Sequence, residues 1–184
     1  MSTMFNKSPK ELKEIYDKLK KCDEISDDKI QDYIHILAEE QYERAKPLIE
    51  TFLYHKNMLV RKMALSALTL HWVDKKYEKY CIDLIMKPIP QDTFEADDLE
   101  FEQITAFSGL ENILKNDKDK NILKALINII TNNKRSSLQK EMAYSGILTF
   151  FYKPKTNKIS EYLEYKAKNK HINWKWIEEL KKEY

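Results

Sequence analysis

A chain of 184 residues is long enough to close one continuous core and too short for two domains of ordinary size. Hydrophobic residues make up 42% and charged residues 34%, and two glycines with five prolines leave too little turn chemistry for a β fold, so an all-α domain is expected. Lys plus Arg (32) nearly cancels Asp plus Glu (30), and arginine occurs only at Arg44, Arg61 and Arg135, which removes any global push toward nucleic acid or an anionic membrane.

The first stretch, Met1 to Lys21, is polar and lysine-rich without the apolar run of a signal peptide. Ser8, Pro9 and Glu11 open a helix as N-cap, first helical residue and capping-box partner, and Leu12, Ile15, Tyr16 and Leu19 form its apolar stripe. A second helix starts at Ser26 and carries Ile30, Ile34, Leu37 and Ala38. Residues 1–40 therefore read as an N-terminal helical pair. Cys22 and Cys81 lie far apart among helical apolar residues, which suggests a reduced, cytoplasmic chain.

From Gln41 to Trp72 a helix with Ala45, Leu48, Ile49, Phe52 and Leu53 is broken at Asn57, and another begins at Met58. The longest apolar stretch, Met63 to Val73, is interrupted by Ser66, Thr69 and His71 and is too short for a bilayer, so no membrane association is expected. The next unit pairs a helix from about Lys75 to Lys87 with one from about Asp97 to Asn116, across a long connection from Pro88 to Ala96. A third runs from about Asp117 to Lys153, with Ile122, Leu123, Leu126, Ile127 and Ile130 on one helix and Leu138, Met142, Ala143, Ile147 and Phe150 on the other. After Pro154, Ile159, Tyr162, Leu163 and Tyr165, then Ile172, Trp174, Trp176, Ile177 and Leu180, suggest a closing helical pair in residues 154–184. Capping the last apolar face is its expected job, with ligand binding by the tryptophans the alternative.

One phrase recurs in these units: Ala64-Leu65-Ser66-Ala67-Leu68, Ala106-Phe107-Ser108-Gly109-Leu110 and Ala143-Tyr144-Ser145-Gly146-Ile147, spaced by 42 and 37 residues. A period near forty with one helix-borne phrase is the signature of a helical repeat array, three repeats here spanning 41–153. Both glycines of the chain occupy one slot of the phrase. Mid-helix glycine costs roughly 1 kcal/mol against alanine, so a recurring close approach of a neighbouring helix backbone is expected.

The first unit resembles the HEAT-repeat family through Pro47, Asn57 and the run Val60-Arg61-Lys62-Met63-Ala64-Leu65-Ser66-Ala67-Leu68. The later units depart from it, with Glu102-Gln103 and Gln139-Lys140 in the Val-Arg region. The resemblance implies a single right-handed α-solenoid of about four or five antiparallel helix pairs over 1–184, with a concave surface lined by the second helices. It also implies a binding scaffold rather than an enzyme.

No local chemistry contradicts that expectation. His35, His55, His71 and His171 stand singly, without a zinc-spaced Cys pair or H-E-x-x-H, so neither a metal nor a cofactor is expected. Asp117 to Asn121 imitates an EF-hand start, but Ile122 and Asn128 occupy the positions that need glycine and glutamate, and helix capping explains the acids better. No phosphate loop or nucleophile elbow can be built with glycines only at 109 and 146.

In the HEAT-like register, the candidate groove positions are Lys62, Ser66, Thr69, Ser108, Glu111, Asn112, Glu141, Ser145 and Thr149. A second candidate surface is the acidic connection, with Asp92, Glu95, Asp97, Asp98 and Glu100 followed by Glu102 and no intervening base. The expected function is a monomeric, non-catalytic protein-binding module whose partner has a basic surface, such as a small bacterial immunity or escort protein. The alternative is a DNA- or RNA-binding HEAT-like protein akin in fold to the alkylation-repair glycosylases, using its lysines on phosphates. Low net charge, scarce arginine and the mixed charges of the groove positions weigh against it.

Overall fold

The computed structural model describes residues 7–90, 94–152 and 159–184, and the regular structure among them is all helical. Ten α-helices run through the described residues in this order: α1 (Pro9–Leu19), α2 (Asp27–Glu39), α3 (Lys46–Thr51), α4 (Met58–Ser66), α5 (Glu78–Met86), α6 (Phe94–Asn116), α7 (Lys120–Thr131), α8 (Ser137–Phe151), α9 (Ile159–Lys168) and α10 (Trp174–Glu183). Their starts are chemically marked. Ser8, Ser26, Asn57, Asp119, Ser136 and Asn173 each accept a backbone N–H of the helix they precede, and Ser8 with Glu11 and Ser136 with Gln139 form complete capping boxes.

The helices form two layers. Helices α2, α4, α6 and α8 pack side by side in that order, while α1, α3, α5 and α7 each pack on the helix that comes next in the chain. Helix α5 also meets α7, and α10 packs on α7. The position of α7 between neighbours explains its composition: Ile122, Leu123, Ala125, Leu126, Ile127, Ile129 and Ile130 are all buried. Each of the leucines and isoleucines contributes about 1.5–3 kcal/mol on leaving water. Ile177 and Leu180 of α10 are buried in the same core, and Trp176 stacks edge-on against Phe151 and Tyr144. No helix among the described residues is long and apolar enough to cross a membrane.

Side chains tie α2, α4, α6 and α8 together, each to the next. Asn57, capping α4, donates to Asp27 of α2 at 2.7 Å. Arg61 of α4 pairs with Glu102 of α6 while its guanidinium also donates to the carbonyls of His55 and Lys56, both at 2.9 Å. Gln139 of α8 donates to Gln103 of α6, which itself donates to the carbonyls of Leu84 at 3.0 Å and Lys87 at 2.9 Å. Relative to the phrase alanines Ala64, Ala106 and Ala143, the side chain three positions earlier in one unit meets the one four positions earlier in the next. The Glu102-Gln103 and Gln139-Lys140 departures from Val-Arg therefore keep a bonding step that Arg61 begins. Glu102, Gln103 and Gln139 are buried, so each bond also satisfies a group that would otherwise be costly.

The glycines sit tightly, but not for the expected shared reason. A Cβ at Gly109 would lie 2.6 Å from Thr69 Oγ1 and 2.7 Å from Thr69 Cβ, on the preceding unit's second helix. One at Gly146 would lie 2.6 Å from Leu126 Cδ1, on the first helix of its own unit. The contacts are side chains from different layers, not a recurring helix backbone.

Three segments differ from the expected outline. The first helix of the Gln41 unit is divided into a 3₁₀ turn Glu43–Ala45, α3, and a 3₁₀ turn Phe52–Tyr54. The second helix of that unit ends in a π turn, Ala67–His71, and Val73 just beyond it has φ 49°. Helix α6 begins at Phe94, so the long connection is shorter than expected and Glu95 belongs to a first helical turn, where acids complement the helix dipole.

Candidate functional site

The expected groove positions divide into three groups. Lys62, Ser66, Ser108, Glu111, Asn112 and Ser145 are partly exposed and Glu141 fully so. Thr69 and Thr149 are completely buried and cannot touch a partner. Thr69 fills the space left by Gly109 and donates to Leu65 O at 2.7 Å, and Thr149 donates to Ser145 O at 3.0 Å. Helical register alone puts both on the surface, because it carries no information on how closely α6 approaches α4 or how α8 is covered. Lys62 lies over the ring of Phe101, 5.2 Å from its centroid.

The chain itself occupies part of this row. Ser145 donates to Glu111 Oε2 at 2.7 Å, and Lys166 of α9 donates to Glu111 Oε1 and to Ser145 O, each at 3.0 Å, as well as to Ser145 Oγ. Burial pushes the Lys166 amine below its ordinary value, against the raising effect of the Glu111 carboxylate. The hydroxyl proton of Ser145 points to a carboxylate and Lys166 acts as the donor, so the trio is wired as a clasp between α6, α8 and α9. A serine activated by a lysine base would need the hydroxyl to donate to the amine.

Of the acidic run, Asp92 lies outside the described residues, as does the side chain of Glu95. Asp97 and Asp98 are exposed on the first turns of α6, and Glu100 accepts from Ser136 Oγ at 3.4 Å. Glu100 also lines an open cleft of about 860 Å³ whose walls include Met86, Ile89, Arg135 and Gln139. Arg135 is pinned there, donating to Met86 O at 2.7 Å and Lys87 O at 2.8 Å. Met86 at the end of α5, Phe101 two turns into α6 and Leu138 at the start of α8 stay 41%, 51% and 43% exposed.

Asp117 and Asp119, the imitation calcium loop, have structural partners. Asp119 caps α7, and Lys75 donates to Asp117 at 2.6 Å and lies 2.9 Å from Asp119. These contacts pull the Asp119 carboxyl below its ordinary value. Cys81 is fully buried, and desolvation pushes its thiol up to about 12, which leaves it without thiolate reactivity.

One cluster was not visible in the sequence. His35 and Glu39 share a face of α2, and the π turn brings His71 to them, so that one potential ligand atom from each lies within 4.8 Å of the others. The rings of His35 and His71 meet edge-on at 5.9 Å, and His71 Nδ1 is 3.7 Å from Glu39 Oε1. Burial lowers the pKa of His71 below its usual value, more than the Glu39 carboxylate raises it. The spacing of His35 and Glu39 was the only local signal, and a lone i, i+4 pair is commonplace on helices. Compared with known proteins, the chain matches no family model, no curated protein and no solved structure.

Proposed function

We propose that the chain is a HEAT-like α-solenoid that works as a non-catalytic protein-binding module, with the α5–α6–α8 edge as its docking surface. The observation that carries this reading is the open cleft that exposed Met86 lines with Ile89 and Glu100, on an edge whose helices also expose Phe101, Leu138 and the acids Asp97 and Asp98. Apolar area supplies affinity, while carboxylates at the rim select a partner with a basic surface and speed its approach. The stepwise bonding Arg61–Glu102 and Gln103–Gln139 supports the repeat reading, because it recurs in register with the phrase. The clasp of Lys166 on Glu111 and Ser145 favours the edge over the groove at that end of the row. A small immunity or escort protein fits such a module.

The test is site-specific photocrosslinking in the native cell from residues 101 and 138, with the exposed residues 13 and 124 as controls on α1 and α7. A single protein crosslinked only from 101 and 138, and lost in an Asp97→Lys/Asp98→Lys variant with unchanged melting, is the expected result. Equal crosslinking from all four sites, or capture of nucleic acid alone, would overturn the proposal.

A further inference from the structure

We propose that His35, Glu39 and His71 bind one divalent first-row transition-metal ion, joining α2 to the end of α4. Imidazole nitrogens and a carboxylate oxygen are the donors that zinc and its neighbours take, and three protein ligands leave a fourth position for water or a further ligand. The geometry is close to that arrangement. Ligand atoms on one tetrahedral zinc stand about 3.3 Å apart, given bonds near 2.0–2.1 Å, against 3.7 Å for His71 Nδ1 to Glu39 Oε1 and an outer limit of 4.8 Å for the set. The differences, about 0.4 Å for the His71–Glu39 pair and at most about 1.5 Å for the set, are shared between two side chains each and lie within the reach of small χ rotations.

Three features hold the ligands in place. His35 and Glu39 are one helical turn apart and project from the same face of α2. The π turn at Ala67–His71 holds one residue more than an α turn, which rotates the end of the helix by about 100° and directs His71 to α2. Gln41, at φ 52° just past the end of α2, donates to His71 O at 3.0 Å and so ties the His71 backbone to the helix that carries His35 and Glu39.

The surroundings also suit a cation. Asp28, Asp32 and His35 line an open recess of about 320 Å³ with Gln31 and Met63, and Asp28 and Asp32 continue the α2 face that carries His35 and Glu39. Lys29 pairs with Asp32 at 3.4 Å, and the recess still gives His35 an entry path from solvent.

The test uses the tag-free full chain, stripped of metal and titrated with zinc by calorimetry and with cobalt(II) by visible absorption. The expected result is one ion per chain, cobalt ligand-field bands, and a melting midpoint raised by about 5 °C or more when zinc is in large excess over its Kd. His35→Gln and His71→Gln should each weaken zinc binding by at least about tenfold, while His171→Gln, at an exposed position, should not. Glu39→Gln, nearly identical in shape to the native side chain, serves as the variant that keeps the metal-free fold and should also weaken zinc binding, with its circular dichroism and melting as the check. No stoichiometric binding, or zinc binding as strong in Glu39→Gln and His35→Gln as in the native chain, would overturn the site.

Discussion

Alanine at the two glycines should produce opposite outcomes, and the difference lies in which atom each new methyl meets. At residue 109 the Cβ would stand 2.6 Å from Thr69 Oγ1, 2.7 Å from Thr69 Cβ and 3.3 Å from its Cγ2, whereas carbon contacts are optimal near 3.5–4.0 Å. About 1 Å must be found. Thr69 is completely buried, its β-branched χ1 is stiff and its hydroxyl is tied to Leu65 O, so the adjustment has to come from moving α4 against α6. Overpacking of this kind costs about 1–3 kcal/mol, a strained Thr69 hydrogen bond costs up to about 1 kcal/mol more, and helix propensity returns about 1 kcal/mol. With the Thr69 hydrogen bond strained, Gly109→Ala should therefore be destabilised by up to about 3 kcal/mol and most simply by about 2 kcal/mol, a melting shift of roughly 2–4 °C per kcal/mol at this chain length. At residue 146 the nearest atom is Leu126 Cδ1 at 2.6 Å and the next stands at 3.5 Å, so rotation of a flexible leucine end absorbs the methyl. Gly146→Ala should lie within about 0.5 kcal/mol of the native chain or above it, since the propensity gain is kept. Urea unfolding of both variants measures the difference. Equal destabilisation, or a Gly109→Ala variant as stable as the native chain, would refute the reasoning.

Arg61→Ala should cost about 2–4 kcal/mol, because it strands the buried Glu102 carboxylate, and Arg61→Met with Glu102→Leu should recover most of it; a double-mutant cycle in urea checks both. His71 has a folded pKa below its ordinary 6.5, so the unfolded chain takes up the proton first as pH falls. Metal-free stability should decline as pH drops below about 6.5, and His71→Gln should flatten that decline in melting curves recorded across the range. Lys166→Met should release the clasp on Glu111 and Ser145, at a cost of about 1 kcal/mol, with faster amide hydrogen exchange in α9 as the direct readout. Ser136→Ala removes the cap and box of α8 and should cost about 1 kcal/mol, whereas Ser137→Ala, exposed one residue later, should be neutral.

The helical character of the chain and most helix starts were legible in the residues themselves. Caps and apolar periodicity are local: Ser8 with Glu11, Ser26 and Asn57 sit where their helices begin. The recurrence of the phrase also located the three inner helices that pack in sequence, α4, α6 and α8. Register failed where depth mattered. Thr69 and Thr149 lie at helical positions suited to a surface, yet neighbouring helices close over them. The alignment of Glu102-Gln103 with Val60-Arg61 was legible, but the bond between Arg61 and Glu102 was not, because it depends on how two helices are set side by side. Lys166 on Ser145 and His71 beside His35 and Glu39 were hidden for the same reason. Local hydrogen bonding and hydrophobic period are encoded within a dozen residues and so determined the helices. The clasp and the histidine cluster join residues 21 to 55 positions apart, and only the packing of whole helices, together with one π turn, decided that they meet.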